Sequence, residues 1–392
     1  MCDNPTRQQQ HGTELADIFH QHGASYCEKN TLTPEQYKVL HAIMNCRTSV
    51  LGGHVDECDQ CGAKLNSYNS CRNRHCPKCE SFKAAQWLEA RQAELLPVPY
   101  FHVVFTLPHE LNTLVMYNKR LLYNLLFQSA WETLKTLGKD PNRLNGEMGM
   151  LSTLHTWGQN LSQHNHVHCI VPGGALTGEG QWNPTKAKFL FPVKVMSPIF
   201  RGIYVTKLRE LFTAGKIRLP PSTNMDALLN QLMNKNWQIY AKEPFAGPKQ
   251  LLNYLGRYTH KIAISNYRIL SCDEKSVTFK WRDYADGNKI KIMTLTPHEF
   301  IRRFLQHVLP AGFMRIRSFG FLSNAGKQKK IPLIQKILNY QPEKPKTKRD
   351  TKTRMLEVTG KDISLCPICK KGRLRQVSTL QAKFGRTQFD TS

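Results

Sequence analysis

An α+β fold with antiparallel strands is predicted for this 392-residue chain, and two groups of strands set among helical stretches predict it. "STLHTWGQNL" and "HVHCIVPGG" read as two strands joined by a turn at residues 162–165, a connection short enough only for an antiparallel pair. "KIAISNYRIL", "SVTFKWRDY" and "KIKIMTL" read as three further short strands in succession. The length is too great for one small core and implies two or three domains.

In chain order, residues 13–46 read as short helices. "TPEQYKVLHAIMNC" has Thr33 placed as N-cap, Pro34 in the first turn, and an apolar face at Tyr37, Leu40, Ile43 and Met44. Residues 46–79 are rich in Cys, His, Gly and Asn and cannot build much apolar core. Residues 81–96 are helical again, up to Pro97. "YFHVVFTL" at 100–107 is a buried strand, and residues 110–137 are helical. Residues 194–243 read as mostly helical, broken at Pro220–Pro221. "GPKQLLNYLGRYTH" is a short amphipathic helix, and "TPHEFIRRFLQHVL" is another. Beyond about residue 325 the chain is basic and Pro-rich, a tail that ends in one more Cys-x-x-Cys. The boundaries that follow are 1–97, 98–325 with a helical insertion at about 194–245, and 326–392.

Lys plus Arg number 55 and Asp plus Glu 29, a formal net charge of +26. Such an excess calls for a polyanionic partner, most often nucleic acid. A basic membrane-surface protein would carry a basic amphipathic helix or a lipidation signal, and neither is found. No run approaches the ~18 apolar residues of a membrane span, and the polar start "MCDNPTRQQQHG" is no signal peptide. A cytoplasmic, nucleoid-associated protein is expected, and its twelve cysteines are expected to be reduced and partly zinc-bound.

Cys58-x-x-Cys61 and Cys76-x-x-Cys79 are two knuckles at zinc-ribbon spacing, each able to present two thiolates to one ion. With so little apolar residue nearby, metal would have to stand in for core burial. Cys46, His54, Cys71 and His75 interleave with them and could hold a second zinc. Arg72, Arg74 and Lys78 lie between these ligands, where a module facing a phosphate backbone would need them. Cys366-x-x-Cys369 is half a site, either a lone thiol pair or one that recruits ligands from elsewhere.

"HNHVHCIVPGG" places His164, His166 and His168 at every second position, on one face of a strand. His166 and His168 are candidate ligands for a divalent cation. Gln159, on the preceding strand, is the expected third ligand, with His164 and His155 as rivals. Two imidazoles, a neutral oxygen and open positions suit Mg²⁺ or Mn²⁺ held together with substrate oxygens. Tyr254 and Tyr258, four residues apart, share one face of a helix and could each attack one phosphate in turn. Leu251, Tyr254, Leu255 and Tyr258 also fit a core-facing stripe.

"CRNRHCPKC", "HNHVHCIVPGG", "NYLGRYTHKIAISN" and "RIRSFGFLSN", in this order over about residues 30–325, resemble the signature blocks of the two-tyrosine HUH transposases. These enzymes belong to rolling-circle bacterial elements of the "insertion sequence ninety-one" type. Asn165 stands where such proteins commonly have proline. The resemblance implies an HUH endonuclease domain, an RRM-like antiparallel sheet flanked by helices, behind a zinc-ribbon-like DNA-binding domain. It implies His166 and His168 as metal ligands, and Tyr254 and Tyr258 as nucleophiles that form a 5′-phosphotyrosine link. Arg257 and Lys261, beside the tyrosines, are expected to contact DNA. The expected partner is single-stranded DNA at element ends and targets. A bond conserved as phosphotyrosine needs no ATP for rejoining, in keeping with the lack of a P-loop motif. A plasmid replication initiator, a relaxase, or a zinc-dependent DNA-binding protein without catalysis are the alternatives.

Overall fold

The computed structural model describes residues 12–79, 87–88, 91–186, 189–245, 250–251, 256, 262–342, 350–360 and 362–383. Tyr254, Arg257, Tyr258 and Lys261 lie outside the described residues.

The chain begins with two helices, α1 (Leu15–Lys29) and α2 (Pro34–Met44). Thr33 caps α2 as expected. Its hydroxyl accepts from the Gln36 amide at 3.3 Å, while the Gln36 side chain accepts from the Thr33 amide at 2.9 Å. Two short strands follow, β1 (Gly53–Cys58) and β2 (Lys64–Tyr68), paired antiparallel.

β3 (Tyr100–Thr106) opens the main sheet. The helices α3 (Asn112–Tyr117) and α4 (Lys119–Lys139) then lead into β4 (Gly149–Trp157) and β5 (Gln163–Pro172). A small hairpin, β6 (Gly174–Leu176) with β7 (Trp182–Pro184), precedes α5 (Val193–Thr213) and α6 (Met225–Asn234). The helical reading of 194–243 fails at its end, where residues 239–245 form β8 (Ile239–Phe245). β8 binds the open side of β3, and that tertiary pairing outweighs its weak local pattern.

β9 (Ile269–Cys272), β10 (Val277–Asp283) and β11 (Lys289–Leu295) form a separate antiparallel sheet. α7 (Pro297–Leu305) follows, capped by Thr296, and then β12 (Ile316–Gly320). Gly320 has φ +60°, and a Cβ there would meet the Met148 carbonyl at 1.8 Å, so this turn out of β12 requires glycine.

The segment expected as a basic tail contains α8 (Lys327–Ile337), α9 (Thr351–Thr359) and β13 (Leu374–Leu380). Ile331 and Ile334 of α8 are buried with Leu96 and Phe321. β13 pairs antiparallel with β1, so the end of the chain completes the sheet begun near residue 53.

The main sheet runs β12-β4-β5-β3-β8, antiparallel throughout. One face carries Met150, Leu154, Val167, Cys169, Val103 and Phe105 into a core shared with α4, α5 and α6. A second core joins α1 and α2 to α7 and to the inner face of β9–β11, with Phe19 edge-on to Phe304 at 5.5 Å. The architecture is therefore α+β with antiparallel sheets. Among the described residues, no helix is long and apolar enough to cross a membrane.

Candidate functional site

The face of the main sheet opposite its helical core carries the histidines. His155 on β4 pairs directly across from His166 on β5, and His168 lies two residues further along β5. One nitrogen from each of the three rings lies within 4.8 Å of the others. His166 and His155 are buried, and His168 is half-buried.

The hydrogen bonds fix how the rings are turned. His166 Nδ1 donates to the His164 carbonyl at 2.7 Å, so a neutral His166 carries its lone pair on Nε2. His166 Nε2 lies 3.1 Å from His168 Nε2. Cis nitrogens on an octahedral ion with bonds of ~2.1 Å are about 3.0 Å apart. A divalent cation therefore fits this donor set, with two Nε2 atoms at cis spacing and a third imidazole alongside. His102 on β3 stacks on His168, with its Nε2 2.9 Å from His168 Nδ1. Burial, reinforced by the charge of Lys242, pushes His102 down to about 4, so it is neutral at ordinary pH. Its Nε2 is placed to accept from His168 Nδ1–H, the tautomer in which His168 turns its Nε2 lone pair to the cluster.

Two expectations about ligands change here. Gln159 lies in the turn after β4, and its amide donates to the Tyr284 hydroxyl at 3.1 Å. A turn at 162–165 would have set Gln159 opposite His168. The observed connection spans residues 158–162, tightened by Gly158 N to Ser162 O at 2.9 Å, and this register brings up His155 instead. His164 contributes its carbonyl to His166, while its ring stands outside the three-histidine cluster. His102 was missed by the sequence reading; the available signal was a histidine inside the otherwise apolar strand "YFHVVF".

The cysteines form two clusters, grouped differently from the expectation. Cys46, Cys71, Cys76 and Cys79 make one, buried between α2 and the loop after β2. Cys58, Cys61, Cys366 and Cys369 make the other. Sulfur separations are 3.5 Å for Cys46–Cys79, 3.7 Å for Cys71–Cys79, 3.7 Å for Cys58–Cys369 and 3.8 Å for Cys61–Cys366. Tetrahedral zinc with Zn–S bonds of ~2.3 Å sets sulfurs about 3.8 Å apart, whereas a disulfide needs ~2.05 Å. Both sets therefore fit zinc. The knuckles Cys58–Cys61 and Cys76–Cys79 do not share an ion, because β1 and β2 carry the first pair toward β13. His54 and His75 join neither cluster. His54 lies 3.2 Å from Asp56, and His75 is held well below its usual range by burial and by Arg315 and Arg74.

Among the basic residues expected to face phosphate, Arg74 and Lys78 make contacts within the protein. Arg74 donates to the Phe313 carbonyl at 2.6 Å, and Lys78 pairs with Glu14 at 2.5 Å. They tie the cysteine module to its neighbours. Arg72 is exposed, in a left-handed backbone conformation with φ 52°.

Comparison with known proteins follows the same division. Residues 18–107 match the family Zn_Tnp_IS91, "Transposase zinc-binding domain", and residues 149–330 match the family Y2_Tnp, "Putative transposase". The chain is 43% identical over 394 residues to "Putative transposase y4qJ" of Sinorhizobium fredii (strain NBRC 101917 / NGR234), spanning 97% of this chain and 99% of that protein. It is 26% identical over 338 residues to "Transposase for insertion sequence element IS801" of Pseudomonas savastanoi pv. phaseolicola, spanning 83% and 79%. No solved structure matches it significantly.

Proposed function

The chain belongs to the IS91-type transposases, with their amino-terminal zinc-binding domain, and from that premise we propose that it nicks and rejoins single-stranded DNA by tyrosine attack at the three-histidine centre. The observation that carries this reading is the convergence of His155, His166 and His168 on one face of the main sheet. In it, these three imidazoles hold Mg²⁺ or Mn²⁺, which polarises a phosphoryl oxygen when bound. His102 acts as a positioning residue for His168.

Tyr254 or Tyr258 supplies the nucleophile. The phenolic oxygen forms a bond to phosphorus, the bond from phosphorus to the 3′ oxygen breaks, and the leaving strand takes a proton to end in a 3′ hydroxyl. The phenol must lose its own proton, since a free tyrosine titrates near 10. The resulting 5′-phosphotyrosine stores the bond for rejoining, and a second tyrosine permits a second cleavage before the first is resolved. The four-cysteine clusters hold one zinc each in this reading, and the net charge of +26 draws the strand in through its phosphates.

The test is a labelled single-stranded oligonucleotide carrying an element end, incubated with Mg²⁺ or Mn²⁺ and run on a denaturing gel. A covalent protein–DNA band is expected, lost in chelator and in the double variant Tyr254→Phe/Tyr258→Phe. Nicking without any covalent band would mean water is the nucleophile, and the reading would fall.

A further inference from the structure

A cleft of about 640 Å³ lies where the edge strand β12 meets α4, away from the histidine cluster. Arg120, Asn124 and Gln128 line one wall, one residue per turn along α4. Arg317 of β12 reaches across, donating to Asn124 Oδ1 at 2.6 Å, with its guanidinium 4.4 Å from the Phe127 ring and 4.9 Å from the Phe313 ring. Trp87, Leu151 and Met314 form the apolar side, and Met314 is 61% exposed.

The electrostatics are unusual for an internal structural contact. Arg120 and Arg317 face the same space, and among the described residues neither has a carboxylate partner. Burial, and after it the like charge of Arg120, holds the Arg317 guanidinium below its usual range. The third arginine of the cleft, Arg91, lies 3.2 Å from Glu94, a carboxylate that Lys327 also reaches at 2.7 Å. Two facing cations without an anion, beside an apolar wall, suit a ligand that is anionic at one end and flat and apolar at the other. The volume falls within the usual range of ~300–1,000 Å³ for such ligands.

The position points to which ligand. Leu151 lies on the same face of β4 as His155, four residues away, which is about 14 Å along the strand. Ile316 and Ser318 of β12 continue that face into the cleft, while Arg317 between them stands on the opposite face, so the cleft wraps the edge strand. We propose that this cleft seats one nucleotide of the DNA strand a few positions from the scissile phosphate, its phosphate on Arg120 and Arg317 and its base against Trp87 and Met314. The inference rests on the reading of the histidine centre as the cleavage site. It gives the "RIRSFGFLSN" block a role in holding the strand rather than in chemistry.

The experiment uses the full chain and a single-stranded element-end oligonucleotide, with binding followed by fluorescence anisotropy across a salt series. Arg120 is exposed, so Arg120→Gln is expected to fold, as checked by circular dichroism and thermal midpoint. It should weaken binding roughly tenfold or more. It should also reduce the log–log salt slope by about 0.7, the share of one phosphate on a single strand. In an abasic scan of the oligonucleotide, one position should cost the wild type most, and that cost should shrink in Trp87→Leu. Unchanged affinity and slope in Arg120→Gln would overturn the proposal, and so would a flat abasic scan, which would mean that phosphate alone is held. Covalent adduct formation by the wild type is scored separately on the same oligonucleotide. Its absence would refute the cleavage mechanism without deciding the binding comparison.

Discussion

The sheet β13-β1-β2 should depend on metal more than any other part of the molecule. In β1 only Gly53 and Cys58 are buried, and no residue of β2 or β13 is. None of the three strands contributes to the apolar cores of the described residues, apart from neighbouring Leu51, which packs on one of them. The hydrophobic term for this sheet is therefore small, at ~25 cal/mol per Å² of apolar surface buried. The cluster of Cys58, Cys61, Cys366 and Cys369 joins segments 305 residues apart, as counted from Cys61 to Cys366. Structural zinc in a small domain contributes about 10–16 kcal/mol, larger than any other single interaction available here. The perturbation is Cys366→Ser/Cys369→Ser, which removes two of the four thiolates. The bound zinc should fall from two ions per chain to one, measured by plasma emission on desalted protein. Hydrogen exchange should then show the amides of Val55 to Glu57 and Arg375 to Ser378 losing protection, while β4 and β5 keep theirs. Persistent protection of β1 and β13 with the zinc gone would overturn this expectation, because no apolar core among the described residues holds these strands.

Three further outcomes are expected. His155→Ala should abolish metal-dependent nicking while Gln159→Ala retains it, by initial rates on a single-stranded oligonucleotide; the reverse pattern would restore Gln159 as the third ligand. His102→Ala should raise the Mn²⁺ concentration needed for half-maximal nicking by roughly 10–100-fold, with partial recovery in His102→Gln; an unmoved midpoint would leave His102 a packing residue only. Arg302, and then Arg303, hold the Glu299 carboxyl down to about 2. Its folded value lies below the ordinary carboxylate range, so its stabilisation is present above about pH 4.5 and is lost as pH falls through about 2. Glu299→Gln should cost less than ~1 kcal/mol at pH 7, since the pairs are solvent-screened, and the gap in thermal midpoint should close on acidification. A gap independent of pH would assign the loss to packing.

Much of this structure was legible as local pattern. The Thr33–Pro34 start of α2, the apolar strand at 100–106 and the His-hydrophobic-His strand depend on neighbours within a few residues, and they stand where spacing put them. What spacing could not supply was pairing across the chain. A Cys-x-x-Cys knuckle says that two thiolates share an ion, and it says nothing about which second knuckle completes the set. Cys58 and Cys61 found theirs at Cys366 and Cys369 through the β1–β13 ladder. A few residues' error in the turn after β4 was enough to exchange His155 for Gln159. β8 was misread because its alternation is weak and its strand conformation comes from pairing with β3. The basic residues between the cysteines looked like a phosphate-facing set, yet Arg74 and Lys78 are spent on Phe313 and Glu14, partners that no local reading could place beside them.

Tyrosine attack is tested by mass spectrometry of the peptide left covalently attached to DNA after nicking. A nucleotide joined through its 5′ phosphate to Tyr254 or Tyr258 is expected. Attachment at Tyr240, which is 58% exposed with its ring 6.4 Å from that of His102, or at Tyr284 beside Gln159, would contradict it.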